Sequence, residues 1–196
     1  MISTSKSLLP YDGEAIYVPS DSLDIPKKNW LFLLSESIDW AHDTVTMFGT
    51  TLTLKRKSAW YGNEGAHYRY SGIQRLPLPW ITPLIELKEH CELIADTTFN
   101  SVLCNFYHDG NDGMGWHRDN EPELGINPII VSMSFGAERT FSFKHRITKE
   151  RVNLILEDGS ILIMRGATQS AWMHSLPKRS KIYEPRINLT FRTILM

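Results

Sequence analysis

At 196 residues, 42% hydrophobic and 22% charged, with 21 Lys+Arg against 22 Asp+Glu, the chain has the mixture of one globular domain. That balance excludes a disordered chain, a collagen-like repeat and a disulfide-stapled mini-protein, and no apolar run approaches the ~20 residues of a membrane span. Cys91 and Cys104 are the only cysteines, each in an apolar neighbourhood with no sign of pairing, which fits a reducing, intracellular compartment. The opening MISTSKSLLPYDGEAIYV has one lysine and no apolar core, so no secretory signal is expected. Charge is uneven along the chain: residues 1–46 hold three basic against seven acidic residues, and residues 141–186 hold nine against four. A local basic surface is therefore compatible with overall neutrality.

In chain order, the first thirty residues are rich in Ser, Asp, Pro and Tyr and read as an irregular lead-in. Residues 29–42 carry Trp30, Leu33, Leu34 and Ile38 at helical spacing. Residues 44–54 read as strand–turn–strand with Gly49 at the turn. The segment WYGNEGAHYRYSG follows as an extended piece, with Tyr68 and Tyr70 on one side. Pro77, Pro79 and Pro83 break the chain, and residues 84–95 form an amphipathic helix with Leu84, Leu87, Cys91 and Ile94 on one stripe. From residue 99 the pattern changes to short strands: FNSVLCNFY, PIIVSMSFG, RTFSFKHR, RVNLILED, SILIMRG and RINLTFRTI. Strands of this length after a helical half predict a mainly β, α+β fold: an antiparallel double-stranded β-helix, or jelly roll, with helices packed outside.

The three-glycine loop HDGNDGMG leads into Trp116-His117-Arg118-Asp119. On an extended chain, His117 and Asp119 point the same way. His174 lies 57 residues on, in a segment that can form a neighbouring strand. Two imidazoles and one carboxylate can bind one face of an octahedral ion and leave three positions open, an arrangement suited to Fe(II). A chance surface pattern is the alternative for a His-x-Asp pair alone. In the last predicted strand Arg186, Asn188, Thr190 and Arg192 alternate with Ile187, Leu189, Phe191 and Thr193. This is either an edge strand with a solvated face or the cationic wall of a pocket for a dicarboxylate. The two arginine Cα atoms would stand about 20 Å apart on a straight strand, serving opposite ends of such a pocket. Asn105 and Tyr107 share a face of an earlier strand and can add hydrogen bonds.

Taken together, NFYHDGNDGMGWHRDNEPELGINPIIVSMSFGAERTFSF, WMHSLP and PRINLTFR resemble the AlkB family of Fe(II)- and 2-oxoglutarate-dependent oxygenases. The branch of the second and third human AlkB homologues is the most similar, over about residues 45–194. The resemblance implies a single domain over 1–196: an N-terminal extension and helix over 1–43, a nucleotide-recognition lid over 44–83 and a jelly-roll core over 84–196. It implies that His117, Asp119 and His174 bind Fe(II) and form the catalytic centre. Arg186, helped by Asn105 and Tyr107, would take the distal carboxylate of 2-oxoglutarate, with Arg192 and Asn188 near the chelating end. The implied reaction is oxidative demethylation with O2, giving succinate, carbon dioxide and formaldehyde. The implied substrates are N-alkylated bases of the 1-methyladenine and 3-methylcytosine type, whose blocked pairing makes them cheap to flip.

The same resemblance assigns Tyr68, Tyr70, Ser71 and Glu121 to the base pocket, with Glu121 facing the exocyclic amine. Asn120 stands where the nearest relatives are expected to carry an acidic residue. Met47-Phe48-Gly49 looks like the hydrophobic finger of the duplex-preferring homologue, an apolar wedge that keeps a stack open. Lys55, Arg56 and Lys57, and Lys178, Arg179 and Lys181, would contact the phosphate backbone without reading sequence. The expected partner is alkylated DNA, duplex and single-stranded, with RNA as an alternative substrate. No membrane contact and a monomeric state are expected, in a bacterial cytoplasm or a eukaryotic nucleus. Two readings of other classes compete: a non-catalytic nucleic-acid-binding jelly roll, and a cupin-like metal isomerase or hydrolase. Neither requires the intact set of three metal ligands and two arginines.

Overall fold

The computed structural model describes residues 6–47, 50–70 and 73–195. For positions 43, 45–47, 50–52, 68–70 and 73–75 only the backbone is described. Three α-helices are described: α1 (Trp30–Ser37), α2 (Thr82–Ala95) and the short α3 (Thr168–Ala171). The early strands are β1 (Glu14–Val18), β2 (Ala41–Met47), β3 (Thr50–Gly62), β4 (Tyr68–Tyr70) and β5 (Ile73–Arg75). Then come β6 (Ser101–Tyr107), β7 (Met114–His117), β8 (Ile130–Gly136) and β9 (Arg139–His145). The last are β10 (Arg151–Leu156), β11 (Ile161–Arg165), β12 (Trp172–Leu176) and β13 (Arg186–Arg192).

A seven-stranded sheet runs β1-β11-β8-β13-β6-β3-β2, and a four-stranded sheet runs β10-β9-β12-β7. The ribbon β4-β5 stands apart from both. The pairings are antiparallel, as the jelly-roll expectation requires. Side-chain alternation sorts the large sheet into two apolar layers. Ile187, Leu189 and Phe191 of β13 pack on one side with Leu34 of α1 and Leu84, Leu87 and Cys91 of α2. On the other side Tyr107, Ile130, Leu162 and Met164 meet Phe141, Phe143, Trp172 and Leu176 of the small sheet. The site lies within this second layer, between the sheets.

Several expectations are corrected. The first thirty residues are not wholly irregular: β1 pairs with β11, Ile16 opposite Ile163, and closes one edge of the large sheet. The helix expected over 29–42 ends at Ser37. Asn29 caps its start, accepting from the Phe32 N–H at 3.1 Å, and Ile38 turns extended at its end. Residues from Ala41 then join β2, which pairs with β3 from Ala41↔Ser58 to Met47↔Thr50. Strand β3 runs on to Gly62 and pairs with β6, so part of the segment read as a lid is built into the large sheet. Pro83 does not break the chain. It sits in the first turn of α2, where its missing N–H costs nothing. The solvated-edge alternative for the last strand fails, because β13 lies between β8 and β6 and all seven of its residues are buried.

Candidate active site

The two histidines meet through sheet register. His117 on β7 and His174 on β12 are Cα partners, and their ring centroids lie 4.3 Å apart. Asp119 follows just beyond β7, with its Oδ1 3.8 Å from His117 Nε2. One donor atom from each of the three residues lies within 4.8 Å of the others. His117 Nδ1 donates to the Gly115 carbonyl at 2.9 Å, which fixes the ring with Nε2 toward Asp119. His174 is buried, and Phe141 stacks on its ring at 5.4 Å.

Electrostatics prepare this set for a cation. Burial opposes a charge on Asp119, but Arg192, His174 and His117 outweigh it and hold the carboxyl at about 2. The Arg192 guanidinium donates to Asp119 Oδ2 at 2.6 Å. Burial first, then His117 and Arg192, push His174 down to about 3, against the pull of Asp119. At neutral pH the site therefore offers an ionised carboxylate and a neutral imidazole. His174 Nδ1 is buried and has no hydrogen-bond partner. These features fit a divalent transition metal such as Fe(II).

The polar face of β13 forms the adjoining wall. Cross-strand register sets Arg186 opposite Tyr107 and Asn188 opposite Asn105. Arg186 Nη2 donates to Ser134 Oγ at 2.9 Å and to Asn188 Oδ1 at 2.6 Å. Burial lowers its pKa to about 10, so it stays cationic at neutral pH. The Arg186 Nε and Asn105 Oδ1 atoms are buried without partners, consistent with a polar ligand that completes them. Asn188 is tied to Arg186, Ser132 and Thr190, so it sits in the middle of this wall. One pocket is lined by the three ligand residues together with Asn105, Tyr107, Arg186, Asn188 and Arg192.

The remaining sequence candidates divide. Glu121 begins the 3-10 turn Pro122–Leu124, and its Oε2 is buried without a hydrogen-bond partner. Tyr68 and Tyr70 are two apart on β4, paired with Arg75 and Ile73. Phe48, Gly49 and Ser71 lie outside the described residues, as do the side chains of Met47, Tyr68 and Tyr70. Lys178, Arg179 and Lys181 are exposed on one loop, and Lys55 lies on β3. Arg56 is a correction. It is 5% exposed, donates to Met114 Sδ at 3.3 Å and lies 6.0 Å from the Tyr107 ring centroid. Strand alternation turns it inward between Lys55 and Lys57, so it is not available to a phosphate.

Sequence reasoning missed Gln169 on α3. Its Oε1 accepts the Asp119 backbone N–H at 3.0 Å, and its Nε2 reaches Met164 Sδ at 3.5 Å. It also missed Phe141 beneath His174 and the serines Ser132 and Ser134 on β8, beside β13. Gln169 carries no spacing signal, because a four-residue helix fifty positions away brings it to Asp119.

This fold and site define an oxygenase of the metal- and 2-oxo-acid-dependent class. A family model described as the 2OG-Fe(II) oxygenase superfamily matches residues 25–192, and the chain belongs to that superfamily, which uses Fe(II) and 2-oxoglutarate. The alpha-ketoglutarate-dependent dioxygenase alkB homolog 3 of Mus musculus is 38% identical over 199 aligned residues, covering 96% of this chain and 69% of the relative. The DNA oxidative demethylase ALKBH2 of Bos taurus is 44% identical over 159 residues, covering 77% of this chain and 57% of the relative. The chain thus spans little more than half the length of that relative. The solved structure of OsALKBH1 aligns with a TM-score of 0.63 at 16% identity, over 91% of this chain and 96% of that one, which reflects a shared fold. Among the described residues no helix is long and apolar enough to cross a membrane.

Proposed function

We propose that this chain is a DNA-repair dioxygenase that removes methyl groups from the ring nitrogens of damaged bases, of the 1-methyladenine and 3-methylcytosine type. The observation that carries this reading is the union of two walls in one pocket. The metal-ligand set and the polar face of β13 meet through the Arg192–Asp119 contact. The substrate class rests on the likeness to relatives named DNA oxidative demethylase.

His117, Asp119 and His174 would hold Fe(II). Arg186 would take the distal carboxylate of 2-oxoglutarate, beside Asn105 and Tyr107, with Asn188 and Arg192 along the same strand. Bound Fe(II) and 2-oxoglutarate supply the oxidising chemistry: with O2 the co-substrate yields succinate and carbon dioxide, and one oxygen atom enters a C–H bond of the N-methyl group, whose hydroxylated form breaks down to formaldehyde and the repaired base. The protein's own residues hold charge and exclude water. Arg192 holds Asp119 in place, and Met114, Phe141, Met164 and Leu176 give the pocket its apolar lining. The free Oε2 of Glu121 is available to accept from the exocyclic amine of a flipped base.

In this reading the chain is one domain and acts as a monomer, with the part of 44–83 that lies outside the large sheet covering the jelly-roll site. Tyr68, Tyr70 and Ser71 flank the base and Met47-Phe48-Gly49 is the wedge. Lys55, Lys57, Lys178, Arg179 and Lys181 lie along the DNA backbone. The protein works where DNA is held, in a bacterial cytoplasm or a eukaryotic nucleus. The test is formaldehyde release from a 3-methylcytosine oligonucleotide as single strand, duplex and RNA. Release on DNA that requires both Fe(II) and 2-oxoglutarate is the expected result. Release on RNA alone would move the substrate, and release without 2-oxoglutarate would refute the reaction.

A further inference from the structure

Arg139, the first residue of β9, is 1% exposed and is not among the residues lining the pocket. Its guanidinium reaches three backbone carbonyls: Asp109 O at 3.3 Å, Asp112 O at 2.8 Å and Pro177 O at 3.0 Å. Those oxygens are not scattered. Asp109 lies two residues after β6 ends at Tyr107, and Asp112 lies two before β7 begins at Met114. Pro177 follows the last residue of β12. One side chain thus pins the ends of the strands carrying Tyr107, His117 and His174. Its guanidinium lies 6.0 Å from the Tyr107 ring centroid, and its own strand supplies Phe141, which stacks on His174.

Burying a cation is expensive, and irregular loops leave carbonyls that no ladder satisfies. A planar five-donor fork meets three converging oxygens at once, which an ammonium cannot match in geometry. The surrounding loop has no slack to replace it. Gly110 exchanges hydrogen bonds with Arg179 and Ile182 across the same junction, at 2.6 and 2.8 Å. A Cβ at Gly110 would meet the Arg179 carbonyl oxygen at 1.8 Å.

We propose that Arg139 is a positioning residue for the metal and co-substrate pocket. It fixes the relative placement of β6, β7 and β12, and so the distance from the Tyr107–Arg186 end to the two histidines, without touching either ligand. The inference rests on reading that pocket as the Fe(II) and 2-oxoglutarate site.

The experiment is Mn(II) and 2-oxoglutarate binding to the full chain without oxygen turnover, by titration calorimetry, alongside KM and kcat for 2-oxoglutarate. Arg139→Gln should weaken Mn(II) and 2-oxoglutarate binding about tenfold, the scale set by residues that orient metal ligands. The effect should appear mainly in KM, with kcat at saturation nearly kept. Arg139→Lys, which keeps the charge and donors but not the fork, should fall in between. Wild-type affinities in a folded Arg139→Gln protein, even one with a lower Tm, would reduce the residue to a structural strut and overturn the proposal. If Arg139→Gln does not fold, wild-type affinities in Arg139→Lys overturn it equally. If the wild-type protein itself binds neither Mn(II) nor 2-oxoglutarate, the reading of the pocket fails instead.

Discussion

His117 and His174 are register partners on neighbouring antiparallel strands, 57 residues apart in the chain and 4.3 Å apart between ring centroids. Asp119 completes the set, and its carboxylate is held at 2.6 Å by Arg192 from the other sheet. The candidate metal ligands and the polar face of β13 are thus joined in one pocket by an ion pair, and changes on either side travel to the other.

Removing Asp119 therefore does more than remove a ligand. Asp119→Ala should abolish 2-oxoglutarate turnover, and it should also cost about 3–5 kcal/mol of stability, because the buried Arg192 is left without its carboxylate. Asp119→Asn should be equally inactive and less destabilised. Turnover assays with urea melts on both variants check this; full activity in either would refute the ligand assignment.

The buried His174 makes the metal-free protein sensitive to acid. Its pKa falls from the ordinary 6.5 to about 3 on folding, so the unfolded chain binds the extra proton first as pH drops. The stability this group contributes is complete above pH 6.5 and is lost progressively down to about pH 3. Asp119, held at about 2, works in the same direction from its unfolded value near 4 downward. Between pH 7 and pH 5 His174 alone should remove about 2 kcal/mol. Urea melts in chelator should show that slope, and His174→Ala should flatten it.

Gln169→Leu removes the acceptor for the Asp119 backbone N–H while keeping side-chain volume close. Metal affinity should fall about tenfold. Mn(II) titration reads this directly, and an unchanged affinity would mean that Arg192 alone orients Asp119.

The basic candidates should separate by burial. Replacing Lys178, Arg179 and Lys181 with alanine should flatten the salt dependence of DNA binding, by about 0.9 in the log–log slope for each phosphate no longer neutralised. Arg56→Ala should leave that slope unchanged and lower Tm, since its guanidinium packs on Tyr107 and Met114. A flattened slope in Arg56→Ala would return Arg56 to the DNA surface.

The wedge assignment is exposed to one comparison. Phe48→Ala should cost several-fold more activity on duplex than on single-stranded substrate, because only a duplex leaves a gap to fill. Equal effects on both would remove that role.

The class of chemistry was legible in the chain before any fold was known. His117-x-Asp119 and the alternation of Arg186, Asn188, Thr190 and Arg192 are visible because strand period two puts like residues on one face; His174, 57 residues on, was tied to them by the family resemblance. The apolar stripe of α2 and the positions of the later strands were legible for the same reason: local periodicity reports which side is buried. What depends on non-local pairing was settled by the folded molecule alone. The lead-in became an edge strand, because the Ile161–Arg165 edge of β11 was open to Glu14–Val18. Strand β13 became central rather than solvated, because helices cover its apolar face and the pocket takes its polar face. Arg56 turned inward, Gln169 came to Asp119, and Arg139 settled among three carbonyls. Arg56 meets Met114 of the other sheet, Gln169 reaches Asp119 from α3, and the carbonyls around Arg139 lie just beyond strand ends; each contact exists because segments distant in the chain pack together.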